Sequence, residues 1–279
     1  MSIVFSFMLG FFAPIYGGIF YGIDRVLKAK MQRRKGPPVL QPFYDMLKLF
    51  SKTKFIVNAP HTIWMIFYFL SLWAVVFMIF FGGNLLYIIF GHLLATVFFI
   101  ISGYSVNSIF SQLGSNRKLL SVVAYEPILI VNAICIYLVF GTFEISEILA
   151  APNNFNSLVF TFLSLLFVVP TVLKLSPFDA SKAHQEIVGG IEVEFGGVFY
   201  ELVYAAKFLE MIFVYSFIFI LASNDYIFGT FLVVFSFFAV ALVDNSTARI
   251  KIDSLLKALY MYGFGLGIVS IFWILLCCI

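Results

Sequence analysis

The 279-residue chain is 62% hydrophobic and 11% charged, carries 37 Phe and a formal net charge of +3, and has a mean hydropathy of +1.06. Long apolar runs separated by short polar ones are not the core pattern of a soluble domain, so the composition points to an all-α integral membrane protein. Nucleophile elbows, phosphate-binding glycine loops and nucleic-acid surfaces have no counterpart in the sequence, which leaves the acyl-transfer, nucleotide-binding and nucleic-acid classes without support.

A helix needs about 20 mostly apolar residues to cross the hydrocarbon. On that measure the sequence predicts spans near 3 to 23, 62 to 81, 85 to 110, 119 to 140, 157 to 175, 199 to 222, 227 to 244 and 257 to 278, in one transmembrane domain covering 1–279. No basic residue precedes the first span and no small-residue cleavage site follows it, so it is expected to remain as a helix rather than be removed. Nine of the seventeen Lys and Arg, from Arg25 to Lys54, fall in the loop after span one. The alternate loops around Gly82–Asn84, Gly141–Asn156 and Asn224–Asp225 have none. The positive-inside rule therefore predicts cytoplasmic odd-numbered loops and both termini outside.

In the first loop, Gly36, Pro37 and Pro38 stop any helix leaving span one. Beyond them Gln41, Asp45, Lys48 and Lys52 recur at helical spacing, while Leu40, Phe43, Leu47 and Phe50 occupy another face. That pattern predicts an amphipathic helix at the membrane surface, serving either as an interfacial anchor in lipid or as a docking surface for a soluble partner.

Ionisable groups within spans are expensive in lipid and mark function by default. Span four holds Glu126 beside Pro127, and span six holds Glu201, Lys207 and Glu210. Lys207 and Glu210 share a helix face, which allows an internal ion pair. The same charges also allow a proton path, and Glu194 joins Glu201 on one face if the span-six helix starts early. Just before that span, "SPFDASKAHQEIVGGIEVEFGG" places Asp179, Lys182, His184, Glu186, Glu192 and Glu194 in one short polar loop.

The three cysteines, Cys135, Cys277 and Cys278, lie in apolar sequence without ligand spacing, and His184 has no second His or Cys nearby, so no metal site is predicted. His92 reads as a helix-to-helix hydrogen bonder and His61 as interfacial. The residues alone describe a membrane subunit that conducts protons or forms a polar pocket at its cytoplasmic face.

Four stretches, in order, resemble the complex I subunit 1 family: "MQRRKGPPVLQPFYDMLKLFSK", "GYSVNSIFSQLGSNRKLLSVVAYE", "PFDASKAHQEIVGGIEVEFGG" and "ARIKIDSLLK". The resemblance implies that Asp179, Glu186, Glu192 and Glu194 belong to a chamber or loop below a soluble redox subunit. It implies that Glu126, Glu201, Lys207 and Glu210 continue the charged path within the membrane. Arg33, Arg34, Gln41, Asp45 and Lys48 would form a partner-docking block, with Arg249 and Asp253 in the late loop. Quinone-reducing members have acids where this chain has Lys182 and His184 and a glutamate at Lys207, and they carry an insertion after the GP turn that is missing here.

Those departures make the chain look like the hydrogenase-linked branch, the energy-converting [NiFe] hydrogenases, a resemblance that implies the cell membrane of a prokaryote. The partners so implied are hydrogenase large and small subunits, a ferredoxin-like cluster subunit and an antiporter-like membrane subunit. The nickel-iron centre and iron-sulfur clusters would reside in those partners, and this chain would hold no cofactor. The alternatives are a subunit that meets a quinone or methanophenazine, and a self-sufficient channel or transporter. No internal repeat is visible to support the last.

Overall fold

The computed structural model describes residues 3–53 and 56–277. Helices α1 (Ile3–Phe11) and α2 (Ala13–Met31) form a pair bent by 51°, with Pro14 at the start of α2. After a turn that ends the helix at Arg33, whose φ is 54°, comes the surface helix α3 (Gln41–Phe50). Then follow α4 (Ala59–Phe80), α5 (Leu85–Tyr104), α6 (Ile109–Phe140), the short α7 (Ile145–Ile148) and α8 (Val159–Val172). The acidic loop carries α9 (His184–Ile187) and a 3₁₀ turn, Gly190–Glu194, before α10 (Val198–Ile220) and α11 (Tyr226–Ser246). The chain closes with α12 (Ile252–Ala258), a π-helical turn at Leu259–Phe264, and α13 (Gly265–Cys277).

Among the described residues, seven helical segments are long and apolar enough to cross a membrane, and the bent pair α1–α2 makes eight. No strand occurs among those residues, and the fold is an all-α integral membrane protein. Asn84 and Asp225 start α5 and α11 by accepting hydrogen bonds from the backbone amides of Leu86 and Phe228, each at 3.0 Å, which satisfies donors left over at a helix start. Apolar side chains on α4, α11 and α13 face outward, as lipid-exposed helices require, whereas α10 lies at the centre with α2 and α4 against it.

One predicted boundary and one conditional pairing change, each for a physical reason. The sequence places a polar break between 110 and 119, but α6 begins at Ile109 and runs 32 residues. Its polar first turns are helical because they receive the acidic loop: a Cβ on Gly114 would lie 2.7 Å from the Gly190 Cα and 2.9 Å from the Ile191 nitrogen. Gly114→Ala is therefore expected to push the loop off α6 and lower stability by about 1–3 kcal/mol. The fall should appear as a lower melting temperature in detergent, and an unchanged melting temperature would contradict the packing.

The second difference separates Glu194 from Glu201. The 3₁₀ turn ends at Glu194, Phe195 is extended, and α10 starts only at Val198, so the two carboxylates do not share a helix face. Gly197 sits at φ 57° with the Thr53 carbonyl oxygen 2.6 Å from where a Cβ would be. Only glycine fits that approach without strain, and it interrupts the helix there.

Candidate functional site: a buried charge cluster between the loop and the membrane

Glu192 stands at the junction of the acidic loop and the helices, 6% exposed. Three lysines surround it: Lys207 Nζ lies 2.7 Å from Oε2, Lys182 Nζ 3.4 Å from Oε2, and Lys174 Nζ 3.7 Å from Oε1. Burial alone would raise the Glu192 carboxyl, but Lys207, Lys182 and Lys174 outweigh it and hold the group far below the usual carboxylate range. The sequence allowed a Lys207–Glu210 pair at helical spacing; in the structure Lys207 turns to Glu192 instead. Glu210, 1% exposed, accepts a 2.8 Å hydrogen bond from the Tyr68 hydroxyl of α4.

Deeper in the bundle, His92 of α5 approaches Glu126 of α6 with Nδ1 3.2 Å from Oε1, and its ring stacks on Phe213 at 4.1 Å. That contact joins the two helices beside Pro127. His61, expected at the interface, is instead 1% exposed: its Nδ1 lies 2.8 Å from the Ser102 carbonyl and its ring stacks on Phe195 at 4.0 Å. The α4 helix begins at Ala59, early enough to place this histidine under the loop rather than at the surface. Glu201 is 4% exposed and makes no ion pair or side-chain hydrogen bond among the described residues. Glu194 is only partly buried, near His61.

The remaining predicted residues clamp the loops. Asp179 accepts two hydrogen bonds from Arg249, at 2.7 and 2.6 Å, which fixes the acidic loop to the segment before α12. Exposed Glu186 pairs with Arg117 at 2.6 Å. In α3, Asp45 accepts from Arg25 at 2.7 Å and from Gln41 at 2.8 Å. Partial burial acts upward on the Asp45 carboxyl, yet the Arg25 and Gln41 hydrogen bonds bring it below its ordinary value. Arg33, Arg34, Lys48 and Asp253 are exposed, whereas Tyr44, Leu47 and Phe50 turn the apolar face of α3 outward.

The Asp179–Arg249 fork has a testable consequence. Because lysine cannot reproduce a planar bidentate donor, Arg249→Lys is expected to lose about 1–2 kcal/mol of stability, close to the loss from Arg249→Ala. Thermal melts of the two variants check it, and a lysine variant as stable as the natural protein would show that the fork geometry is unimportant.

Two cavities flank the cluster. One, of about 320 Å³, opens between α3 and the acidic loop and is lined by residues that include Leu49, Lys52, His184, Glu192, Phe195 and Tyr200. The other, of about 200 Å³, lies on the far side among Tyr21, Lys174, Lys182, Lys207, Glu210 and Tyr215. Glu192 borders the first and its three lysines border the second, so the cluster is a charged partition between them. Lys174, Tyr68 and Lys118 were not singled out from the sequence. Tyr68 sits in an otherwise apolar span, and the two lysines fall at the ends of predicted spans, where basic residues are ordinary.

A family model described as NADH dehydrogenase matches residues 3–275. The chain belongs to the NADH dehydrogenase subunit 1 family. Among curated members, Hydrogenase-4 component C of Escherichia coli is 28% identical over 195 residues, 64% of this chain and 62% of that protein. An NADH-quinone oxidoreductase subunit of Anoxybacillus flavithermus is 28% identical over 222 residues, 71% of this chain and 67% of that protein. The fold also matches a chain in the structure of the membrane-bound sulfane sulfur reductase, an archaeal respiratory membrane complex, with a TM-score of 0.87 at 21% identity, covering 96% of this chain and 98% of that one. Members of the family thus include subunits of oxidoreductase complexes from both the hydrogenase and the quinone branches.

Proposed function

We propose that this chain is the ion-translocating membrane anchor of a ferredoxin-dependent, proton-reducing [NiFe] hydrogenase. Electrons would pass through soluble partner subunits to the nickel-iron site, and this chain would convert the accompanying charge change into movement of H⁺ or Na⁺. The observation that carries the reading is the lysine triad on Glu192. A neutral quinone head reaching that depth would meet three ammonium groups and a carboxylate, whereas a relay of charge from the loop inward suits them. The likeness to Hydrogenase-4 component C supports the same branch.

In this reading the basic loops and α3 face the cytoplasm, where α3, with Arg33, Arg34 and Lys48 exposed around it, meets the soluble subunits. The Asp45–Arg25 pair holds α3 against α2 for that purpose. Isolating the native complex in mild detergent through a tag on this chain and supplying reduced ferredoxin tests it. Hydrogen evolution is the expected result; an intact complex that accepts electrons without evolving hydrogen contradicts the hydrogenase assignment.

One observation favours a second reading. The 200 Å³ cavity has apolar and aromatic walls, including Tyr21, Met211 and Tyr215, beside its charges. A lipid-soluble acceptor such as a quinone or methanophenazine would fit walls of that kind. Photolabelling of the 179 to 197 loop by a quinone analogue, competed by the unlabelled compound, would favour that branch.

A further inference from the structure

Lys118 is a buried charge that stands apart from the ion pairs of the cluster. It lies within α6, 1% exposed, and its Nζ has no hydrogen-bond partner. The Tyr125 ring is 5.6 Å away. A small cavity beside it is shared with Lys174, Lys182 and Glu192. The charges of Lys174 after α8, Glu210 on α10, Glu126 on its own helix and Glu192 in the loop all act on it. Lys118 therefore shares a cavity with the loop cluster and feels the intramembrane carboxylates, bound to neither.

The same helix face continues the pattern. Tyr125 and Asn132 follow at seven-residue intervals, both 0% exposed, and the tyrosine hydroxyl and both side-chain amide atoms of Asn132 are also without partners. A seven-residue step returns to the same face within about 20°, so the three side chains line up over about 21 Å of helix. Buried polar groups are ordinarily satisfied, and three in register that are not describe a polar column rather than packing.

We propose that Lys118 carries protons from the Glu192 cluster to Glu210 and Glu126, with Tyr125 and Asn132 extending the column along α6. In one transfer the Lys118 ammonium gives its proton to a carboxylate on the membrane side, which becomes a carboxylic acid, and is left as a neutral amine. The amine then takes a proton from the Lys182 ammonium across the shared cavity. Lys182, the most exposed of the triad, regains its proton from water. One proton has moved inward and Lys118 is again charged. The proposal rests on the ion-coupling reading above and names the residue that links its two halves.

The test uses the native complex in sealed vesicles, with redox turnover and ion movement measured together for the natural protein, Lys118→Met and Lys118→Arg. Arginine keeps the positive charge but does not release its proton. Both variants are expected to assemble and turn over, with ions moved per electron reduced about tenfold or more. If Lys118→Arg matches the natural protein, the residue is a fixed charge and the proposal is overturned. Where Lys118→Met does not assemble, the arginine variant decides alone. A natural complex that turns over without moving ions defeats the coupling reading itself, and the proposal with it; a coupled natural complex with fully coupled variants defeats the proposal only.

Discussion

Glu192→Gln is expected to collapse the charge cluster. The substitution leaves three ammonium groups at a site whose carboxylate is 7% exposed at the side chain, and removing one partner of a buried ionic group costs about 3–5 kcal/mol because the others remain desolvated. The melting temperature of the purified complex should fall, and redox-linked ion movement should be lost. Glu192→Asp, which keeps the charge on a shorter stem, should recover part of both. The pH dependence follows from the depressed carboxyl. A group whose folded value lies below its unfolded one stabilises the fold above the unfolded value, near the ordinary carboxylate range, and loses that contribution only as pH falls toward the folded value. Lowering the pH from 7 to about 5 should therefore leave the cluster intact. A Glu192→Gln complex as stable and as coupled as the natural one would show that the lysines do not depend on this carboxylate.

Glu210→Gln is expected to separate turnover from ion movement. Glutamine still accepts the Tyr68 hydrogen bond, so the packing between α4 and α10 survives, but the negative charge facing Lys174 and Lys118 is gone. Hydrogen evolution should continue while ions moved per electron fall by about tenfold or more, the scale of a lost proton-transfer group. Tyr68→Phe is the control. It keeps the Glu210 charge and removes only the hydrogen bond, which is worth about 1–3 kcal/mol at a charged acceptor, so it should lower stability more than coupling. Equal coupling in Glu210→Gln and the natural protein would remove Glu210 from the path.

The architecture was legible from the sequence because lipid imposes a simple rule on it. Apolar length marked the spans, and the Gly36-Pro37-Pro38 break followed by amphipathic spacing marked α3. What the rule does not address is where a polar stretch goes when it is buried in protein rather than in lipid. Residues 111 to 118 looked like loop sequence, yet they form the first turns of α6 because the acidic loop covers them. Lys118 consequently lies buried in α6, beneath the acidic loop, rather than in an exposed loop.

Partner choice was the other limit. Helical spacing proposed Lys207 with Glu210, since i and i+3 are neighbours on any helix. The choice went to Glu192 because the turn through Gly189 and Gly190, at φ 106° and 64°, sets Gly190–Glu194 against α6 with the Glu192 carboxylate 2.7 Å from Lys207 Nζ. Tertiary geometry of that kind leaves no trace in local periodicity. Of the four motifs of the family resemblance, the third holds Glu192 and Lys182, but Lys174 and Lys207 lie outside all four, so the lysine-rich pairing could not be read from them.

The most direct test of the central claim, that this chain couples redox chemistry in its partners to ion movement, is made on the native complex in sealed vesicles. Reduced ferredoxin is added, and hydrogen evolution and ion movement are recorded on the same sample. The account predicts movement of H⁺ or Na⁺ that keeps step with turnover, collapses with an ionophore and falls about tenfold or more in Glu210→Gln while hydrogen evolution persists. Sustained turnover in sealed vesicles with no ion movement would contradict it.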